Sequence, residues 1–373
     1  MYLIIDEKLV SKVDISLSRQ FIMETIIEIA RQYPADGFMC LTHEKKPVIS
    51  DLPSNIAFHY IKKGILKWLN VKWWYKYQLP QILSKLPPGL YITLDNHYIR
   101  NGGLPTCLFL TDSLSLLKQQ AYKRIARSGR SLLQSIKRST VTITFSEHLG
   151  DLLKKQGLPE GKIKFLKLAA SSKIEPLTWT DKEIVKVKYA EGCEYFLYSG
   201  DVDPHTDLLD LLKAFSQFKK RQQSNMKLIF AVNTTALTIK FQEKLATFKF
   251  RDDVHIVRNC TAQQRDELLG AAYAVVCPAR LEYFPINILR AMKAGVPVIA
   301  SEIPVIKVVA GDAVIYPDSN DEGGFAKALQ LLYKDENLRS RIITAGKIHL
   351  EAAGKADFIH DCRNIFDATF TSK

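Results

Sequence analysis

An acid, a base and a glycine turn carry the chemistry this chain could do. The run Pro278-Ala-Arg-Leu-Glu-Tyr-Phe-Pro-Ile-Asn-Ile-Leu-Arg-Ala-Met-Lys-Ala-Gly-Val-Pro-Val298 places Glu282 before an apolar helical stretch and Arg290 inside it. Arg290 has five N–H donors and no acceptor, so it recognises acceptor groups only. Arg280 and Lys293 put two more cations beside it, and His205 lies further upstream. Together they could grip an anion such as a monophosphate or an acidic sugar. The opposing reading is that Arg and Lys at a helix start are solvated. Gly200 follows the apolar run Phe196-Leu-Tyr-Ser, where a backbone turn can approach a ligand closely.

The elements that must position these residues read as strand and helix in alternation. Strands are predicted over 2–5, 37–42, 91–94, 107–110, 141–145 and 163–166, then over 195–198, 227–232, 254–257, 274–277, 298–300 and 313–316. Helices are predicted over 18–32, 65–86, 117–139, 147–156, 207–221, 286–294, 325–332 and 338–353. Apolar strands between amphipathic helices indicate parallel sheets covered on both faces, the α/β class. Residues 168–193 lose the rhythm and read as a connection. The predicted domains are 1–180 and 190–355, followed by a last helix, 356–373.

The landmarks of the second half resemble those of retaining glycosyltransferases of family 4, in that family's order. Phe196-Leu-Tyr-Ser-Gly200 is similar to its strand and glycine turn, and Leu208-Leu-Asp-Leu-Leu-Lys-Ala-Phe215 to the helix after it. Ala274-Val-Val-Cys-Pro278 leads into the nucleotide-sugar signature, which Gly295-Val-Pro-Val298 closes. The resemblance implies the GT-B fold, two Rossmann-like domains facing a cleft with the last helix, 356–373, crossing back to the first, and a nucleotide sugar as donor. It implies no metal and no cofactor. Gly200, Glu282, Tyr283, Phe284 and Arg290 then become the donor-binding candidates.

Several positions depart from the family pattern. The family's second signature glutamate, an acceptor for ribose hydroxyls, is Arg290. Its arginine and lysine beyond the glycine turn are Asp201 and Thr206. Two charge-assisted contacts of about 1.5–3 kcal/mol each are thereby lost, roughly two to four decades of affinity. As ordinary residues, Asp201 and Thr206 suit a turn. The signature glycine is Pro285, which removes an N–H from a helix start. The family's His-Asp is similar to Thr111-Asp112, and a later glutamate corresponds to Lys307. Glu282 is retained, either as a donor-sugar contact or as a capping acid. Catalytic residues stay unassigned.

Composition narrows the partners. The net charge of +13 is carried by the first half. Residues 1–190 hold 29 Lys/Arg against 16 Asp/Glu, and residues 60–140 hold 14 against only Asp95 and Asp112. One basic face on one domain predicts an anionic partner. Ile61-Lys-Lys-Gly-Ile-Leu-Lys-Trp-Leu-Asn-Val-Lys-Trp-Trp-Tyr-Lys-Tyr77 concentrates five lysines and three of the four tryptophans. Lys67, Trp68, Trp73, Trp74 and Lys76 suit the headgroup layer of an anionic membrane. The alternative places the tryptophans in the core and the lysines in water. No nucleic-acid-reading module is visible.

No apolar run reaches the roughly 18 residues that span a bilayer, and residues 1–6 read as a strand and not as a leader. Six scattered cysteines without a C-x-x-C pair suit buried thiols in a reducing cytosol. The expectation is therefore a cytoplasmic protein, peripheral at the inner face of the cell membrane. Two functions follow: a glycosyltransferase of surface polysaccharide or glycolipid assembly with a lipid-linked acceptor, or an inactive homologue serving a partner glycosyltransferase.

Overall fold

The computed structural model describes residues 1–10, 17–44, 52–61, 73–95, 100, 102–111, 127–169, 174–200, 208–232, 239–280, 282, 284–318, 321, 323–352 and 354–371. The chain divides into two compact units, Met1–Leu168 with Lys355–Lys373, and Ala169–Gly354.

The first unit holds a seven-stranded sheet. In chain order its strands are β1 (Tyr2–Ile5), β2 (Gly37–Thr42), β3 (Ile56–Tyr60), β4 (Leu90–Leu94), β5 (Thr106–Leu110), β6 (Val141–Thr144) and β7 (Ile163–Phe165). The spatial order is β3-β2-β1-β4-β5-β6-β7, and every pairing is parallel. β4, β5 and β6 are buried along their whole length, as continuous apolar runs in a covered parallel sheet must be.

The second unit repeats the plan with five parallel strands: β8 (Tyr195–Ser199), β9 (Lys227–Val232), β10 (Val254–Arg258), β11 (Ala274–Cys277) and β12 (Val298–Ala300), ordered β10-β9-β8-β11-β12. Both sheets reverse direction of growth once, between β1 and β4 and between β8 and β11. These are the Rossmann-type switch points, where loops diverge and leave a crevice at the carboxyl ends of the strands.

Several elements differ from the sequence expectation, among them the helices Ile239–Ala246, Ala262–Gly270 and Pro304–Ala310, where no helix is predicted. β3 was hidden by its mixed burial at the sheet edge. Residues 313–316 form no strand and contribute one bridge, Ile315 to Ile299. The polar stretch 168–193 contains the helix Trp179–Ala190, whose first turn is capped by the Thr178 hydroxyl accepting from the Asp181 N–H. That helix is tied to the helix Ala262–Gly270, where Glu267 accepts from Lys188 at 3.0 Å.

The helix Lys355–Thr371 belongs to the first unit. Phe358 packs on Phe21 with centroids 5.4 Å apart, and Phe366 meets Phe109 edge-on at 6.2 Å. Arg363 bonds the buried Asp36 and lies 4.4 Å over the Tyr33 ring. Phe366 has no exposed surface. Phe366→Ala is expected to destabilise the protein by about 3–5 kcal/mol, read as a lowered urea midpoint. An unchanged midpoint would mean that this helix does not hold the sheet.

Candidate functional site

The carboxyl edge of the second sheet collects the signature residues. β8 ends at Ser199, and the Gly200 N–H donates to the Ala231 carbonyl at 3.3 Å. A Cβ on Gly200 would stand 3.3 Å from the Tyr198 hydroxyl and 3.5 Å from Asn287 Nδ2, so glycine fits this gap best. β11 ends at Cys277, and the loop beyond it leads to the helix Ile286–Lys293. Asn287, in the first turn of that helix, donates from Nδ2 to the Ser199 carbonyl at 2.7 Å. One side chain thus joins the end of β8 to the helix that follows β11, across the switch point, through residues 88 positions apart.

Glu282 folds back on its own loop, where Oε1 accepts the Phe284 N–H at 2.8 Å. Burial, and next the Glu282 charge, push the Cys277 thiol up to about 12. Pro285 is the N-cap, with no side-chain hydrogen bond. The helix closes in a Schellman arrangement: Gly295 N–H reaches Met292 O at 3.0 Å and Val296 N–H reaches Ala291 O at 2.9 Å. Gly295 sits at φ 69°, which explains the glycine of Gly-Val-Pro-Val.

The three cations of the signature turn to three different carboxylates. Arg290 is 1% exposed and pairs with Asp266 of the helix Ala262–Gly270. Arg280 lies 3.5 Å from Asp210, and Lys293 lies 3.4 Å from Glu175. Lys307, at the other position where the family carries an acid, pairs with Glu302 and stands 5.9 Å from the Tyr316 ring. Burial, with the charges of Asp312 and Glu302, pushes the Tyr316 phenol up to about 12. His205, Asp201, Thr206 and Tyr283 lie outside the described residues.

In the first unit, Thr111 is held by Asp95 at the ends of β5 and β4. Its N–H donates to Asp95 Oδ1 at 2.8 Å and its hydroxyl to Oδ2. Asp95 takes the left-handed conformation, φ 41°, that an Asp tolerates better than most residues. Sequence reasoning missed Asp6, at the end of β1. Its fully buried carboxylate accepts from the Tyr75 hydroxyl at 2.7 Å and from the Tyr91 and Thr93 hydroxyls. Tyr91 and Thr93 share one face of β4, so period-two spacing aims both at Asp6.

The aromatic segment divides. Trp74 turns inward, packing on the cluster of Ile4, Leu41, Tyr75 and Tyr91, with His43 edge-on at 5.4 Å. Like Trp73 it is half-buried, and its inner edge is held by that packing. Trp73 stays half-buried, 5.7 Å from the exposed Tyr77 ring, and Lys76 Nζ is 5.0 Å from that ring. Lys67 and Trp68 lie outside the described residues. Among the described residues no cluster of His, Cys, Asp and Glu could hold a metal, and no helix is long and apolar enough to cross a membrane.

Residues 180–349 match the family model of group 1 glycosyl transferases. The likeness to that family lies in the second unit, over the stretch that holds the signature residues. Among curated proteins it is 28% identical over 144 residues to the O-antigen chain mannosyltransferase RfbU of Salmonella typhimurium, covering 39% of this chain and 40% of that protein. It is 25% identical over 233 residues to the O-antigen chain mannosyltransferase B of Escherichia coli, covering 58% and 57%. The matches therefore span 40% and 57% of the length of these relatives. Among solved structures, WaaG, a glycosyltransferase involved in lipopolysaccharide biosynthesis, is similar over the full length of both chains, with a TM-score of 0.73 and 14% identity. HepE of Anabaena, solved with UDP and glucose, gives 0.73 at 12% identity over 99% of this chain and 100% of its own. The fold is thus GT-B, made of two Rossmann-like units.

Asp266 is what makes a buried guanidinium tolerable at position 290. Asp266→Ala leaves that charge uncompensated and is expected to cost about 3 kcal/mol in urea unfolding. The double variant Arg290→Met/Asp266→Ala should recover most of the loss. A double variant as unstable as the single one would show that the pair is not the cause.

Proposed function

We propose that this protein transfers a hexosyl group from a nucleotide sugar to a growing cell-surface polysaccharide, with retention at the anomeric carbon. The supporting observation is the position of Gly200, Glu282 and the helix Ile286–Lys293 at the switch point of the unit that resembles group 1 glycosyl transferases. The relatives named above, two O-antigen chain mannosyltransferases, favour a mannosyl donor, and the lipid-linked acceptor follows from the family resemblance of the signature. Glu282 accepts a hydroxyl of the donor sugar once it leaves the Phe284 N–H. No metal and no cofactor take part in this reading.

The second reading, an inactive homologue that supports a partner glycosyltransferase, draws on one observation. Arg290 is buried and ion-paired where the family keeps an acid, so the familiar acceptor for ribose hydroxyls is gone. Thermal-shift and calorimetric titration with nucleoside diphosphates and nucleotide sugars separates the two. The enzyme reading expects binding of at least one, at roughly micromolar Kd, lost in Glu282→Ala. A flat panel would leave only the partner reading.

The protein works at an anionic membrane surface, on the inner face of the cell membrane, through the basic side of the first unit. The helix Arg127–Arg138 ends in Lys137 and Arg138, and Trp73, Lys76 and Tyr77 supply an aromatic and cationic patch. Flotation with vesicles containing phosphatidylglycerol is expected to fall when Trp73→Ala is introduced and when salt is raised. Trp74→Ala should lower stability instead, because Trp74 packs inward. Equal flotation of Trp73→Ala and the parent protein would remove the tryptophan from the contact.

A further inference from the structure

Two buried polar atoms on one face of the helix Ile286–Lys293 have no hydrogen-bond partner. They are the Asn287 Oδ1, an acceptor, and the Arg290 Nε–H, a donor. Residues three apart on a helix are surface neighbours, with Cβ atoms about 5–6 Å apart. Arg290 is 1% exposed, and Asp266 engages its terminal nitrogen, leaving Nε over. Asn287 is fixed by its other amide atom to the Ser199 carbonyl, beside Gly200 at the switch point. An unmade hydrogen bond at a buried group is costly, so an acceptor and a donor are both wanted here.

A hydroxyl group supplies both at once. Its oxygen accepts from the Arg290 Nε–H, and its proton goes to the Asn287 Oδ1. A carboxylate or phosphate could serve Arg290 but would repel the Asn287 oxygen. An ammonium would fail in the opposite way. We infer that Asn287 and Arg290 form a pair that reads one hydroxyl of the bound ligand. The arginine is then more than an eroded acid, because with Asn287 it reads a hydroxyl through a donor and an acceptor on separate side chains. This inference rests on the nucleotide-sugar reading given above, and the hydroxyl belongs either to the ribose or to the hexosyl group.

The test is calorimetric titration of the full chain with UDP and GDP, their 2′,3′-dideoxy counterparts, and nucleotide mannoses with and without single hexosyl hydroxyls. Each is titrated into the parent protein, Asn287→Leu and Arg290→Lys. Arg290→Lys keeps the charge opposite Asp266 and removes the Nε–H, so the test survives if Asn287→Leu does not fold. Deleting the hydroxyl that is read should weaken binding to the parent about tenfold. The same deletion should cost each variant roughly twofold or less. Sensitivity to the dideoxy compounds assigns the ribose, and sensitivity to the deoxy mannoses assigns the hexosyl group. If every deletion costs parent and variants alike, the inference is overturned while the proposed function stands. If none of these ligands binds the parent protein, both fall together.

Discussion

Parallel pairing governs everything else in this chain. A parallel strand cannot return through a tight hairpin, so each strand needs a crossover, and the crossovers bury both faces of the sheet. All carboxyl ends then lie along one edge. Where the strand order reverses, neighbouring loops leave in opposite directions and backbone groups are exposed between them. Asp6, Asp95 and Thr111 stand at that edge in the first unit, and Gly200, Glu282 and Asn287 stand there in the second. The polar groups of both units gather where the topology leaves room for them.

Charge at that edge is balanced locally. A guanidinium at 1% exposure would cost several kcal/mol alone, and Asp266 faces it from the adjacent helix. Lys307 is answered by Glu302 in the same way. Two positions where the family carries acids therefore hold bases, each with an acid of its own. The exchange adds little net positive charge, which argues against a general anion grip. It changes which group can donate and which can accept. Recognition built on that exchange depends on hydrogen-bond direction more than on charge.

Strands were legible because a parallel strand shows an uninterrupted apolar run, as in Lys227–Val232 and Ala274–Cys277. β3 was not legible, because an edge strand is half exposed and Ile-Ala-Phe-His-Tyr reads as neither pattern. The helix Trp179–Ala190 was missed for a related reason: Trp179, Ile184 and Val187 point to solvent and blur its periodicity. In the site, local motifs were visible and distant partners were not. The signature named Arg290 but could not name Asp266, 24 residues away. Asn287 gave no signal at all, since its bond to Ser199 exists only once the two strands are neighbours.

The start of the helix Ile286–Lys293 limits what can be bound there. The Ile286 N–H is engaged by the Phe284 carbonyl at 2.7 Å, and the Ile288 N–H by the Pro285 carbonyl at 3.2 Å. Pro285 has no N–H, and the Phe284 N–H is held by Glu282. A helix start with the Phe284, Ile286 and Ile288 amides engaged and none at Pro285 has little left to offer a phosphate, whatever its dipole. Glu282 is the one member of this set that can be exchanged. If a ligand hydroxyl takes over its carboxylate, the Phe284 N–H is released and becomes available to an acceptor on the same ligand. Binding of a hydroxyl and binding of a phosphate oxygen would then be coupled through one carboxylate, which is a stricter requirement than either contact alone.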